Sequence, residues 1–207
     1  MWTADFARSM AGYDRFADIH TIGPILWYQP SPGQQKADGI ALAAFDLPAL
    51  SDEFARSVGQ LTNFLTIENL KAFIDDLIRL RVTLQKEYPC PVQLILKQKR
   101  YHSVNYEREY TDYVESCYAT NQLELMPATE NMFDMIESSH VAIVFPYSSP
   151  AYVASFLGVT AIFHDPTRTL APAYVPEEEI WFSSGFDDLL AKCKTALVAG
   201  VDDSNRV

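Results

Sequence analysis

Residues 140–166 constrain the fold of this chain more than any other stretch, because they read as one complete strand–helix–strand unit. The solidly apolar run 141–145 is typical of a strand that is buried in a parallel sheet. Pro150 then begins a helix that extends to residue 157, with Ser149 as its N-cap. The next strand covers residues 160–163, and this order of elements predicts an α/β fold.

The rest of the chain continues the same alternation. From residue 90 onward, strands alternate with short helices, which predicts a Rossmann-like, mainly parallel sheet with helices on both faces. A longer helix at 66–87 carries an apolar stripe at spacings of three and four residues, formed by Leu70, Phe73, Ile74, Leu77, Leu80 and Leu84. Further strands are predicted at 39–45, 92–96, 123–126 and 180–182, and further helices at 51–59, 106–119, 130–138 and 186–198.

These elements divide the chain into three parts. Residues 66–200 form the predicted Rossmann-like domain, whereas residues 1–65 contain too few elements for a second α/β domain. We interpret this N-terminal segment either as the end of a missing lobe or as an addition to the single sheet. Residues 201–207 are interpreted as a frayed tail.

Composition argues against several classes of protein. The chain has 207 residues and a net charge of −11, which disfavours a broad nucleic-acid-binding surface. Its apolar runs are shorter than the roughly 20 residues of a membrane-spanning helix, and its first residues lack the pattern of a secretory signal. Cys90, Cys117 and Cys193 lie far apart without a CxxC pair, so we expect reduced thiols, no metal site and a cytoplasmic protein.

The sequence also lacks the common motifs of cofactor and catalytic sites. A GxGxxG motif is absent, which argues against a hydride-transfer enzyme, and so is a Walker A motif. A GxSxG motif, which would indicate a serine hydrolase, is absent as well. We therefore predict that the protein uses no cofactor.

Polar residues follow several predicted strands, at the edge where open α/β sheets bind ligands. Lys97, Lys99 and Arg100 follow the strand VQLIL, and Ser148 and Ser149 follow the strand VAIVF. Clustered cations in an acidic chain, together with a helix N-terminus that carries two hydroxyls, favour a phosphate-binding site. The alternative is that the cations lie on a solvated strand end and that Ser149 only caps its helix.

Four further residues are candidates near this edge. Asp46 ends the strand GIALAAF, where a carboxylate can act as a nucleophile or general base, or can simply form a turn. His102 can donate to a phosphate or a sugar, or lie at the surface. Glu130, expected in the first turn of a helix capped by Thr129, can bind a ribose or interact with the helix dipole. Asp165 follows the strand TAIF.

Six motifs together resemble surface-polysaccharide glycosyltransferases. In chain order they are GPILW at 23–27, FDLP at 45–48, ENLKAFIDDL at 68–77, LKQKR at 96–100, MPATENMFDMIESSHVAIVFPYSSPAYVA at 126–154 and FHDP at 163–166. The similar proteins are bacterial capsule and lipopolysaccharide enzymes of GT-B type, including a group that resembles retaining β-Kdo transferases. LKQKR and FPYSSPA are the most distinctive parts of the resemblance.

The resemblance implies that residues 66–200 are the C-terminal, donor-binding lobe of a GT-B-like enzyme. Such an enzyme transfers a Kdo-like sugar from a nucleotide sugar, with a CMP-sugar favoured, to a saccharide acceptor. By this resemblance, the serine pair would hold the donor phosphate, the cations of LKQKR would flank it, and Asp46 would be the nucleophile.

A GT-B enzyme has two such lobes, and this chain supplies about one of them. The acceptor lobe is therefore missing or is supplied by a partner chain, and the alternative function is a non-catalytic nucleotide-binding or interaction module. A UDP-sugar-using GT-B relative is a second alternative. The expected location is the cytoplasm, including the inner face of the cytoplasmic membrane.

Overall fold

The computed structural model describes residues 38–47, 49–57, 64–98, 107–127, 129–170 and 180–204. The strands are β1 Ile40–Phe45, β2 Val92–Lys97, β3 Glu124–Met126, β4 Val141–Val144, β5 Thr160–Asp165 and β6 Ile180–Ser184. The helices are α1 Asp52–Ser57, α2 Ile67–Glu87, α3 Arg108–Ala119, α4 Met132–Glu137, α5 Pro150–Phe156 and α6 Phe186–Ser204. None of these helices, over the residues described, has the length and apolar character that a membrane span requires.

The six strands form one sheet in the order β3-β2-β1-β4-β5-β6, and every neighbouring pair is parallel. This is the strand order of the doubly wound, dinucleotide-binding fold. The chain moves outward from β1 in one direction to β3 and then returns to the other side of β1 with β4. The order of the strands thus reverses between β1 and β4, which makes their carboxyl ends the switch point of the sheet.

Helices cover both faces of the sheet, because the side chains of each strand alternate between two apolar clusters. Along β1, Leu42 and Ala44 belong to the cluster that includes α2, α3 and α6. Ala43 and Phe45 belong to the cluster that includes α4 and α5. The predicted Rossmann-like α/β fold with helices on both faces is therefore confirmed.

Strand β1 lies in the centre of this sheet. All six of its residues are buried, as expected for a parallel strand that is covered on both faces. Ile40 is in register with Val92 of β2, and Leu42 is in register with Val141 of β4. Residues 40–45, from the N-terminal segment predicted at 1–65, therefore belong to the same sheet as the strands after residue 90.

The long helix α2 follows the sequence pattern closely. Its six buried residues are those of the predicted apolar stripe, and Thr66 is the N-cap. The Thr66 hydroxyl oxygen accepts a hydrogen bond from the backbone N–H of Asn69 at 3.2 Å. The apolar stripe packs against β2 and the rest of the cluster that includes α3 and α6.

Predicted helix ends differ from the structure in α4 and α6. Helix α4 begins at Met132 with Asn131 as its N-cap, so the prediction of Thr129 as the cap and of Glu130 in the first turn is wrong. The Asn131 side chain satisfies the Phe133 N–H at 3.0 Å, which fixes the start of α4 two residues later than predicted. Ser149 does occupy the N-cap position of α5, but its side chain makes no capping bond. Helix α6 continues to residue 204, beyond the predicted end at 198.

Candidate functional site

A pocket of about 210 Å³ lies at the carboxyl ends of β1, β2 and β4, at the switch point of the sheet. Its lining consists of Phe45, Asp46, Lys97, Gln98, Met132, Ser148, Ser149 and Pro150. Four of the residues that the sequence analysis singled out, namely Asp46, Lys97 and the serine pair, therefore line one cavity. They lie at the carboxyl ends of three different strands, which the parallel sheet brings to the same edge.

Asp46 is the acidic group of this pocket. It follows β1 directly, and its side chain is almost completely buried, with 3% of its surface exposed. The hydroxyl of Tyr110, in the first turn of α3, donates a hydrogen bond of 2.7 Å to Asp46 Oδ2. A carboxylate that is removed from water needs such donors to remain ionised.

Tyr110 is well suited to remain the donor in this pair. Burial, followed by the neighbouring Asp46 carboxylate, raises the pKa of Tyr110 well above its usual value. The phenol therefore keeps its proton at every physiological pH. The sequence places Tyr110 on an apolar stripe with Val114 and Cys117, which identifies it as a core residue but gives no signal for its bond to Asp46.

Lys97 is the cation in the described lining of the pocket. It is the last residue of β2 and is partly buried, and its Nζ atom donates a hydrogen bond to the Pro127 carbonyl oxygen at 3.0 Å. Burial lowers the pKa of Lys97, and the nearby charge of Glu130 opposes this shift. Glu130 itself is exposed and lies before α4. It is near the pocket through its position next to Lys97.

The loop between β4 and α5 supplies the hydroxyls of the pocket. Ser148 is buried and donates from its Oγ atom to the Phe145 carbonyl oxygen at 3.0 Å, which closes the turn. Tyr147, between Pro146 and Ser148, has a positive φ of 62°, and its ring is tilted against that of Phe163, with ring centroids 5.7 Å apart. Helix α5 has only seven residues, so its dipole is small and Lys97 carries most of the positive charge in the described lining.

Of the other predicted residues that the structure describes, Glu130 and Asp165 are not in the lining of this pocket. Asp165 is fully buried, and its carboxylate accepts hydrogen bonds from the Thr167 N–H at 2.8 Å, the Thr167 hydroxyl at 2.6 Å and the Leu170 N–H at 2.8 Å. These bonds give Asp165 a structural role in the loop after β5. Lys99, Arg100 and His102 lie outside the described residues. In the described parts of the chain, no group of three or more His, Cys, Asp and Glu side chains is arranged to hold a metal ion.

Comparison with known proteins gives one family and two similar structures. The chain matches the family described as "Polysaccharide biosynthesis PFTS motif protein" over residues 1–192. It is similar to spinosyn rhamnosyltransferase SpnG complexed with thymidine diphosphate, with 10% identity and a TM-score of 0.42 over 81% of this chain and 40% of that one. It is also similar to E. coli heptosyltransferase WaaC with ADP-2-deoxy-2-fluoro heptose, with 11% identity and a TM-score of 0.41 over 83% of this chain and 45% of that one.

The chain thus spans less than half the length of either of these structures. No curated protein matches the sequence. The family match, in contrast, extends over residues 1–192 of a chain of 207. The chain belongs to the family of polysaccharide biosynthesis PFTS motif proteins.

Proposed function

We propose that this chain is the donor-binding half of a GT-B-type glycosyltransferase that acts in the biosynthesis of a surface polysaccharide, such as a capsule or lipopolysaccharide. The observation that carries the proposal is the meeting of Asp46, Lys97 and Ser148 in one pocket at the switch point of the sheet. Doubly wound sheets bind nucleotides at this point. Membership of a polysaccharide biosynthesis family supports a role in the biosynthesis of a polysaccharide.

The proposed role of the pocket is to hold the leaving nucleotide phosphate. The ammonium group of Lys97 and the hydroxyl of Ser149 stabilise the negative charge that develops on this phosphate as the glycosidic bond breaks. Lys99, Arg100 and His102 follow Lys97 in the chain and are proposed to contribute further contacts to the donor. The carboxylate of Asp46 acts either as the nucleophile or as a group that positions the sugar.

The volume of the pocket suits one part of a donor. At about 210 Å³ it is smaller than the roughly 300–1,000 Å³ of pockets that enclose a drug-sized ligand. It therefore fits a phosphate with an attached ring better than an entire nucleotide sugar. The remainder of the donor would extend beyond the described lining, toward the acceptor.

The family description also supports a role for the loop that contains the serines. It names a PFTS motif, and residues 146–149 of this chain read Pro-Tyr-Ser-Ser. Read as one-letter residue codes, PFTS matches this segment with one aromatic residue in place of another and serine in place of threonine. The segment provides Ser148 and Ser149 to the pocket, so the pattern would coincide with the proposed phosphate site.

The donor that we propose is a CMP-sugar with a Kdo-like sugar. The pair Ser148-Ser149 supports this choice through its resemblance to the hydroxyl pair that holds the phosphate of CMP-sugars in sialyltransferase-like enzymes. The reaction would take place in the cytoplasm or at the inner face of the cytoplasmic membrane, with a saccharide as acceptor. The acceptor lobe would come from a partner chain or from sequence outside this one.

Calorimetric titration of the chain with CMP, CDP, UMP and UDP, at low and at moderate salt, tests the proposal. We expect CMP to bind best. A preference for UDP would contradict the proposed CMP-sugar and would indicate that the donor is a UDP-sugar of a common hexose. If none of the four nucleotides binds, the pocket is not a nucleotide site and the glycosyltransferase proposal fails.

The second candidate function is a non-catalytic nucleotide-binding or interaction module. It is favoured by the single sheet of the described residues, because a GT-B enzyme closes its active site between two such lobes. Incubation with CMP-Kdo separates the two functions. Release of CMP, by transfer to a saccharide or to water, supports the enzyme, whereas binding of CMP without release of CMP from CMP-Kdo supports the module.

A further inference from the structure

We propose that Tyr110 is a positioning residue, which fixes the carboxylate of Asp46 at the pocket and keeps it ionised. The catalytic meaning of this role rests on the function proposed above, in which Asp46 faces the donor sugar. The bond itself joins two buried groups that are 64 residues apart in the chain. Each of these side chains has 3% of its surface exposed.

The position of Tyr110 is fixed by more than this one hydrogen bond. Its ring lies in the first apolar cluster together with Val114 and Cys117 of the same helix. Close to the ring, the backbone N–H of Glu107 donates to the Ala49 carbonyl oxygen at 2.9 Å. The start of α3 is therefore attached twice to the segment that follows β1, once through the Tyr110 hydroxyl and once through the Glu107 backbone.

The hydrogen bond also favours the charged form of Asp46. Burial in an apolar environment favours a neutral carboxyl group, and a hydrogen bond to the charged form opposes that tendency. Because the phenol of Tyr110 retains its proton, it acts as a permanent donor to Oδ2. An ionised carboxylate with one oxygen held in place is the form that a nucleophile or a sugar-binding group requires.

Among the described residues, the other ionisable groups near this pair include Lys97, which lines the same pocket, and Glu130, which lies next to Lys97. On α3, Tyr113 and Cys117 adjoin Tyr110. None of these four residues is changed when Tyr110 is replaced with phenylalanine. The replacement removes one oxygen atom and keeps the ring in the core, so its effect on Asp46 reports the hydrogen bond.

The test is a ¹³C NMR titration of the side-chain carboxyl groups in the full chain. The resonance of Asp46 is identified as the one that Asp46→Asn removes. In Tyr110→Phe, we expect the protonation equilibrium of Asp46 to shift by roughly tenfold or more, so that it takes up a proton at least about one pH unit higher than in the wild type. An unchanged titration would overturn the proposal.

Tyr113→Phe is the matched control, since Tyr113 lies on the same helix and donates its hydroxyl to Asp75. It should leave the titration of Asp46 unchanged, and an equal shift in this variant would show that the effect is not specific to Tyr110.

If Tyr110→Phe does not fold, the reverse experiment decides. Asp46→Asn should let Tyr110 ionise at a lower pH, and the absorbance of tyrosinate measures this ionisation. An unaltered absorbance titration contradicts the pairing.

These measurements do not require nucleotide binding. If the wild-type chain binds no nucleotide but the resonance of Asp46 shifts in Tyr110→Phe, the proposed function fails and the positioning of Asp46 stands. If CMP binds and the resonance does not shift, the positioning role fails and the nucleotide site stands. The two proposals therefore fail through different observations.

Discussion

The imidazole of His164 and the carboxylate of Asp76 lie 2.9 Å apart, from Nε2 to Oδ2, although 88 residues separate them in the chain. His164 is on β5 and is completely buried, whereas Asp76 is on α2 and is 19% exposed. The other ring nitrogen, Nδ1, lies 2.9 Å from the Ser183 hydroxyl of β6. One side chain thus connects two neighbouring strands with the long helix that covers them.

His164→Ala should lower the free energy of unfolding by about 2–4 kcal/mol. The substitution leaves a cavity where a buried ring was packed and removes the partner of both Asp76 and Ser183. Equilibrium denaturation with urea measures the change. Asp187→Asn serves as the control, because it removes an exposed ion pair of 3.7 Å and should change stability by less than about 0.5 kcal/mol. Equal effects of the two variants would show that the buried contacts of His164 contribute nothing.

Lys97→Ala should weaken binding of CMP more than tenfold, because a charge-assisted hydrogen bond to a phosphate contributes about 1.5–3 kcal/mol. Lys192→Ala is the matched control, since this lysine pairs with Asp188 on α6 and is not part of the pocket lining. Calorimetry on both variants measures the difference. Unchanged affinity in Lys97→Ala would remove Lys97 from the phosphate site, and a loss in both variants would indicate an effect of net charge.

Gly39→Ala should destabilise the protein by roughly 3 kcal/mol or more. Gly39 precedes β1 with a φ of 115°, and a β-carbon there would lie 2.4 Å from the Pro91 carbonyl oxygen. That oxygen accepts the hydrogen bond of the Ile40 N–H at 2.8 Å, so the clash would disturb the pairing of β1 with β2. The melting temperature and urea denaturation measure the loss.

Gly158→Ala provides the comparison for this prediction. Gly158 also has a positive φ, 71°, but a β-carbon at this residue would have no atom within 4 Å, so only the backbone strain of about 1–2 kcal/mol remains. A smaller loss than in Gly39→Ala is therefore expected. Equal losses would show that the contact with Pro91 relaxes without cost.

Stability should fall as the pH rises above 9. Burial raises the pKa of the Cys193 thiol from 9.0 to about 12, so between these values the unfolded chain loses a proton that the folded chain keeps. The free energy of unfolding then decreases by up to about 1.4 kcal/mol per pH unit from this group, and Tyr110 adds to the decrease above pH 10. Below pH 9 the thiol is protonated in both states and contributes no slope.

Cys193→Ala isolates this contribution. Urea denaturation at several pH values from 8 to 10 should show a shallower slope in the variant than in the wild type, whatever the variant's stability at pH 8. If the two slopes are equal, the thiol ionises in the folded protein as readily as in the unfolded chain. The pH dependence would then have another source.

The sequence by itself determined the elements that depend on local patterns. The apolar stripe of α2 is set by residues within a few positions of one another, and the structure buries the six residues that the sequence predicts. The same holds for β4, whose continuous apolar run indicates a strand buried on both faces. Residues that follow such strands reach one edge of a parallel sheet by geometry alone, so Asp46, Lys97 and Ser148 could be placed together without a structure.

Only the tertiary structure decided which distant side chains meet. The bond of Tyr110 to Asp46 and that of His164 to Asp76 join residues 64 and 88 positions apart, and no periodicity in the chain encodes them. Asp165 lies at the edge where the sequence predicts a ligand site, but its carboxylate accepts hydrogen bonds from within its own loop instead. The physical reason is that periodicity fixes which face a side chain occupies, whereas its partner depends on how separate helices pack onto that face.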